Sequence, residues 1–171
     1  MKRFAAFLRG VSPMNCKMPE LAHAMREAGF ADVRTLLSSG NVVFSAKGTE
    51  RSVQKKAVAA MEAHMDRSFV TFVRTMDALQ ALVDEDPFRA FRLKPGTKRV
   101  VTFLMEEPTA VPKLPQDYEG SRILAVQGRE VLCAYVPSPK GAVFMGHIER
   151  MFGKDVTTRT WDTVRKVCAA A

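Results

Sequence analysis

Polar and basic side chains gather in three short segments that the sequence predicts as loops beside strand ends. A guanidinium group combined with hydroxyl groups and exposed glycine N–H groups can hold a phosphate or a carboxylate. The chemistry that these residue types could perform is therefore anion binding. The candidate ligand-binding residues are Arg9, Ser12, Asn15, Ser39, Gly40, Asn41, Thr158 and Arg159.

The same residues also have a structural interpretation, which is the simpler one. Gly40 and Asn41 suit the backbone geometry of a turn, and Thr158 could cap the last helix. Arg9 could pair with a carboxylate or extend its charged end to solvent. Trp161 could likewise anchor the core or form a stacking platform. The sequence alone leaves both interpretations open.

Motifs that would identify an enzyme are missing from the sequence. There is no P-loop, no G-x-G-x-x-G segment and no G-x-S-x-G segment. The three cysteines and three histidines are scattered without metal-ligand spacing, so we expect neither a metal nor a cofactor. The neighbouring acids Glu106 and Glu107 lie in a Pro-flanked segment typical of a solvated loop. No reaction can be named from these residues.

Composition is that of an ordinary soluble globular protein with room for one large domain or two small ones. The chain has 171 residues, 47% of them hydrophobic, and a net charge of +8 that is spread along its length. Such charge attracts anions, but its dispersal favours a generally basic surface over a dedicated nucleic-acid stripe. No apolar run approaches the ~20 residues of a membrane span. We expect a cytoplasmic protein with reduced cysteines and no membrane partner.

Apolar periodicity predicts a β-α-β-β-α-β order in the first half, followed by a helix that Thr75 caps. The central hairpin joins strands Val33–Leu37 and Val42–Phe44 through a turn rich in Ser, Gly and Asn. The other predicted strands and helices of this half are Arg3–Arg9, Pro19–Ala28, Glu50–Met65 and Phe69–Arg74.

The second half repeats this pattern incompletely. Its predicted order is one strand, a Pro-rich coil from Glu106 to Gly120 with at most one helical turn, two strands and two helices. The predicted fold class is α+β, with two ferredoxin-like halves, antiparallel sheets covered by helices, and a degenerate second half. Turn-forming residues around Lys94-Pro95-Gly96 place the boundary between domains 1–93 and 94–171. The predicted strands and helices are Arg99–Met105, Arg122–Val126, Val131–Val136, Phe144–Phe152 and a last helix carrying Trp161 and Val164.

Five motifs, in order and over nearly the whole chain, together resemble the DUF1697 family. The resemblance implies a compact bacterial protein of two ferredoxin-like halves, and it implies no established activity. Two departures limit it: Val11–Asn15 replaces an Asn and a Gly pair, and Thr160 and Asp162 replace asparagines. The motifs are Leu8-Arg9-Gly10, Ser39–Phe44, Arg74-Thr75, Asp86-Pro87-Phe88 and Thr157–Val164.

Three functions remain compatible with these observations. The first is a non-enzymatic binding module for an anionic ligand, either a phosphorylated small molecule or a nucleic-acid backbone. The alternative is an enzyme with a site in the cleft between the two halves. A third is a scaffold that assembles through sheet edges. Sequence-specific RNA binding is disfavoured, because the basic-Gly-aromatic signature of RNA-binding ferredoxin-like sheets is missing.

Overall fold

The structure is a computed structural model that describes residues 1–138 and 143–170. The chain divides into two compact units: Met1–Asp84 with Arg165–Ala171, and Glu85–Val164. The first contains a four-stranded sheet and the second a five-stranded sheet, and all strand pairs are antiparallel. The predicted α+β class is confirmed. The boundary between residues 93 and 94 stays a prediction about independently folding domains.

The first unit has the predicted β-α-β-β-α-β order followed by a helix. Its sheet order is β2-β3-β1-β4, so the two hairpin strands lie together on one side of the first strand. One strand therefore lies between the two strands of each strand–helix–strand unit, which is the split-βαβ connectivity. The elements are β1 (Lys2–Leu8), α1 (Met18–Glu27), β2 (Ala31–Leu36), β3 (Asn41–Ala46), α2 (Glu50–Met65), β4 (Thr71–Thr75) and α3 (Met76–Glu85).

The core of the first unit lies between its sheet and its helices. Alternate residues of β1 face this core, and Phe4 pairs directly with Phe44 of β3. The two rings stack with centroids 6.1 Å apart, and each buried ring contributes roughly 1.5–3 kcal/mol of hydrophobic stabilisation. Thr49 is the N-cap of helix α2, and its Oγ1 accepts a hydrogen bond of 3.2 Å from the Ser52 N–H. At the start of α3, Thr75 Oγ1 accepts a hydrogen bond of 3.2 Å from the Ala78 N–H, so the cap predicted there is confirmed.

The second unit contains two short strands that the sequence analysis did not predict. One lies inside the segment predicted as coil, and the other directly precedes the last helix. The sheet order is β6-β7-β8-β5-β9. The elements are β5 (Lys98–Leu104), β6 (Gln116–Tyr118), β7 (Ser121–Gln127), β8 (Glu130–Tyr135), α4 (Val143–Phe152), β9 (Val156–Thr160) and α5 (Trp161–Ala169), preceded by a 3-10 turn over Pro87–Ala90.

Strand β5 repeats β1 in sequence and in pairing. Lys2–Leu8 reads KRFAAFL and Lys98–Leu104 reads KRVVTFL. Phe4 pairs with Thr75 of β4, and at the equivalent position Val100 pairs with Thr160 of β9. Where the first unit has α1, the second unit has irregular chain and β6. This difference agrees with the predicted incomplete repeat.

Candidate functional site

The β1–α1 loop is held together by the side chain of Asn15. Its Oδ1 accepts a hydrogen bond of 2.9 Å from the Ser12 N–H, and its Nδ2 donates one of 2.8 Å to the Gly10 carbonyl. Arg67 donates to the Asn15 carbonyl at 2.9 Å. The backbone N–H of Arg9 donates to the Val70 carbonyl at 2.9 Å. Asn15 therefore has a structural role in this loop.

The β2–β3 turn meets this loop at one end of the first sheet. The Leu8 N–H donates to the Gly40 carbonyl at 2.9 Å. Asn41 is fully buried, and its Nδ2 donates to the Leu36 carbonyl at 3.0 Å and to Ser39 Oγ at 2.9 Å. The structure thus gathers six of the eight candidate residues at this end of the sheet. Their role in ligand binding stays a prediction.

The remaining two candidates, Thr158 and Arg159, lie side by side on β9 in the second unit. Thr158 Oγ1 lies 2.7 Å from Thr102 Oγ1 on β5. Arg159 is 7% exposed and donates to Thr157 Oγ1 at 2.7 Å. Burial lowers the pKa of Arg159 to about 10, because desolvation disfavours the charged form.

The suggestion that Thr158 caps the last helix is wrong. Thr160 Oγ1 accepts a hydrogen bond of 3.2 Å from the Thr163 N–H at the start of α5. Thr158 lies two residues earlier, inside β9, where its backbone pairs with Thr102 of β5. Trp161 is buried, and its ring packs against Phe88 at 5.0 Å between centroids. This contact supports the interpretation of Trp161 as a core anchor.

A second group of polar side chains lines a pocket of about 290 Å³ within the second unit. This basic pocket carries three cationic side chains and one carboxylate, together with apolar residues on its wall. Pockets of this size can hold a small molecule. Its lining residues are Arg92, Leu93, Lys94, Thr97, Asp117, Gly120, Ser121, Arg122, Ala134 and Val136.

Strands β6, β7 and β8 position the ion pair of the basic pocket. Arg122 of β7 pairs with Asp117 on one side and with Ala134 on the other. Arg122 Nε lies 2.9 Å from Asp117 Oδ1. The Nε atom is buried and makes no hydrogen bond within the described part of the chain, because the carboxylate does not lie in line with its N–H.

Exposed cations at the pocket come from the segment before β5. Arg92 and Lys94 are both exposed. The Thr97 N–H donates to the Lys94 carbonyl at 3.2 Å, which closes a turn through Gly96, where φ is +80°. A planar guanidinium matches two phosphate oxygens, and an ammonium adds a point charge. Together with Arg122 they give the pocket the chemistry of an anion site.

Sequence reasoning missed this pocket because its inner part depends on β6. Only three residues form β6, too few for an apolar alternation to be visible. A two-residue loop joins it to β7, with φ of +45° at Glu119 and +83° at Gly120. Such loops usually contain Asn-Gly or Asp-Gly. The Glu-Gly dipeptide was the available signal, and it is a weak one.

A buried serine and histidine lie beside the basic pocket. Ser121 Oγ donates to the Tyr118 carbonyl at 2.7 Å and lies 3.1 Å from His147 Nδ1. Because a hydroxyl has one proton, Nδ1 must be the donor in the second contact. Burial and then the neighbouring Arg150 lower the pKa of His147. This geometry is structural, since the histidine cannot take the serine proton as a general base would.

The described part of the chain contains neither a cluster of metal-ligating side chains nor a helix that could span a membrane. Within residues 1–138 and 143–170, no three His, Cys, Asp or Glu side chains are grouped so that they could hold a metal ion. In the same part of the chain, no helix combines the length and the apolarity needed to cross a membrane. The three cysteines are buried and free.

Comparison with known proteins identifies the family. The family model described as "Protein of unknown function (DUF1697)" matches residues 1–132. The chain belongs to the DUF1697 family. This result confirms the family that the sequence motifs indicated. The sequence matches none of the curated proteins with which it was compared.

A solved structure shares the fold of this DUF1697 chain. It is described as "The structure of conserved bacterial protein SP0830 from Streptococcus pneumoniae". The two chains are 14% identical, the alignment covers 99% of this chain and 98% of that one, and the TM-score is 0.71. The DUF1697 match reaches the pocket residues Arg92 to Arg122, whereas the terminal motif Thr157–Val164 lies beyond it.

Proposed function

We propose that this protein is a non-enzymatic binding module for a phosphorylated small molecule, which it holds in the basic pocket of the second unit. The observation that carries this proposal is the convergence of Arg92, Lys94 and Arg122 on one pocket of about 290 Å³. Charge-assisted hydrogen bonds from such groups are the strong contacts in phosphate recognition. Net charge of +8 further raises the local concentration of anions.

A small molecule is favoured over a nucleic-acid backbone by the shape of the site. A backbone is bound along a groove or stripe of cations. Here the cations line a pocket whose wall also contains Leu93, Ala134 and Val136. Such a wall suits an organic group attached to the phosphate. The enzyme alternative gains no support from Ser121 and His147, because the serine hydroxyl donates to a carbonyl.

Calorimetric titration of the full chain tests this proposal, with phenyl phosphate, inorganic phosphate and a short oligothymidylate as probes. We expect phenyl phosphate to bind more tightly than inorganic phosphate, because its ring adds apolar contact. Arg122→Gln should weaken phenyl phosphate binding about tenfold or more, which is the effect of losing one charge-assisted contact. Lys94→Gln should also weaken it.

Matched controls are Arg51→Gln and Lys113→Gln, which remove the same charges from exposed positions that do not line the pocket. They should leave the affinity within about twofold of the wild type, because only screened, long-range attraction is lost. Equal losses in the controls and the pocket variants would contradict the proposed site. Tight oligothymidylate binding that weakens steeply with salt would favour the nucleic-acid backbone instead.

We also infer a cytoplasmic location and a bacterial origin. The three free, buried cysteines support a reducing compartment. The whole-chain likeness to a conserved bacterial protein supports the origin.

A further inference from the structure

We propose that Asp117 acts as an internal competitor in the basic pocket: its carboxylate occupies the anion position beside Arg122, and a bound ligand displaces it. This inference rests on the proposed function of that pocket. Its starting point is the ion pair of 2.9 Å between Asp117 Oδ1 and Arg122 Nε. Both residues line the pocket, where they face each other across the β6–β7 pair.

The ion pair neutralises Arg122 without satisfying its hydrogen-bonding capacity. Within the described residues, the buried Nε makes no hydrogen bond although a carboxylate oxygen is close. A buried donor without a hydrogen-bond partner destabilises the unliganded protein. A phosphate oxygen placed in line with the N–H would remove this cost. In the unliganded pocket, Arg122 therefore has an Nε donor that a phosphate oxygen can satisfy better than Asp117 does.

Asp117 can leave Arg122 without disturbing the core. Its side chain is 72% exposed, whereas that of Arg122 is 39% exposed. It belongs to the three-residue edge strand β6, which pairs with β7 on one side only. An ion pair with so exposed a partner contributes little to stability. Moving the carboxylate into solvent is therefore an inexpensive step when an anion arrives.

The charge balance shows what such a competitor selects. With Asp117 in place, the three positive charges of Arg92, Lys94 and Arg122 and its own negative charge leave a net charge of +2. When a ligand displaces Asp117, all three positive charges face the ligand. A phosphate monoester dianion then brings two negative charges where Asp117 brought one, whereas a monoanion only replaces the charge of Asp117 and gains little. The geometry points to phosphate monoesters as the preferred class of ligand.

Asp117→Asn tests the inference in the full chain, since asparagine keeps the size of the side chain and removes its charge. We expect phenyl phosphate to bind about fivefold more tightly to this variant. The ligand then has no exposed ion pair to break, and the Asp117 carboxylate no longer repels it. The matched control is Glu119→Gln, which removes an acid that lies in the same hairpin but does not line the pocket. Its affinity should stay near that of the wild type.

Each other outcome decides against a specific claim. Weaker binding by Asp117→Asn would show that the carboxylate positions Arg122 for the ligand, which overturns the competitor role. Equal tightening by Asp117→Asn and Glu119→Gln would reduce the effect to overall charge, and an unchanged affinity would make Asp117 a bystander. Both results leave the pocket itself intact. Failure of wild type and Asp117→Asn alike to bind any phosphate probe would overturn the proposed function.

Discussion

Thr102 Oγ1 and Thr158 Oγ1 lie 2.7 Å apart on the neighbouring strands β5 and β9. Thr102 is fully buried and Thr158 is half-buried. The two residues are paired across these strands, and their hydroxyls form a hydrogen bond with each other. Thr158 was also a candidate for ligand binding, so this contact offers a direct way to separate a structural role from a functional one.

Thr158→Val should lower the free energy of unfolding by about 1–2 kcal/mol, because Thr102 keeps a buried hydroxyl without its partner. Thr102→Val should have a similar effect. The double variant should lose less than the sum of the two single variants, since both hydroxyls are then replaced by methyl groups of similar shape. Urea denaturation monitored by the fluorescence of Trp161 measures all three.

Strictly additive losses would show that the two hydroxyls do not depend on each other. The structural role further requires that Thr158→Val leaves the affinity for phenyl phosphate unchanged.

Gly40→Ala should destabilise the protein more than Gly10→Ala. Both glycines have positive φ, +84° and +75°, so alanine pays a similar backbone cost of roughly 1 kcal/mol at each position. At Gly40 a Cβ would also lie 3.0 Å from the Cβ atoms of Leu8 and Val11, whereas at Gly10, apart from the adjoining residues, nothing in the described part of the chain lies within 4 Å. The extra crowding should cost a further 1–3 kcal/mol or so. The two melting temperatures give the comparison.

A Gly10→Ala variant as unstable as Gly40→Ala would mean that backbone strain alone decides both positions. The close approach of the β1–α1 loop to the β2–β3 turn would then contribute little.

Alkaline pH should destabilise the protein partly through Cys168. Burial, and secondly the nearby Asp84 carboxylate, raise the pKa of this thiol from 9.0 to about 11. The folded chain therefore keeps a proton that the unfolded chain releases above pH 9.0, so the free energy of unfolding falls as pH rises through this window. Urea denaturation of wild type and Cys168→Ala at several pH values from 8 to 11 or so measures it.

Alanine at this position also removes packing at every pH, so the slopes of the two curves are compared rather than their heights. Cys168→Ala should show the shallower fall with pH. Parallel curves would show that Cys168 does not contribute to the pH dependence.

Much of the fold could be predicted because its signals are local. The β2–β3 hairpin was visible in the apolar residues Val42 and Phe44 beside a turn that contains Gly40. Strand β9 was missed for the opposite reason. Its sequence, VTTRT, has no apolar alternation. Its buried polar side chains are satisfied by hydrogen bonds, such as the one that Arg159 donates to Thr157 Oγ1. Such a strand is polar in sequence and buried in the fold, so periodicity cannot reveal it.

The sequence identified the candidate residues of the first unit by their types. It did not show which hydrogen bonds their side chains make. Asn41 could have presented its amide to a ligand or used it in the turn. The structure shows that its Nδ2 donates to Leu36 and Ser39. Which partner a polar side chain chooses depends on which backbone groups the neighbouring strands leave unpaired. That information is absent from the residue itself.

By itself, the sequence determined the α+β class, the repeat of one strand-and-helix pattern and the family. These follow from periodicity and turn chemistry, which act between residues a few positions apart. Only the tertiary structure decided that Arg122 faces Asp117 and shares a pocket with Arg92 and Lys94. Register between strands sets such neighbours, and a shift of one residue would turn Arg122 to the other face of the sheet.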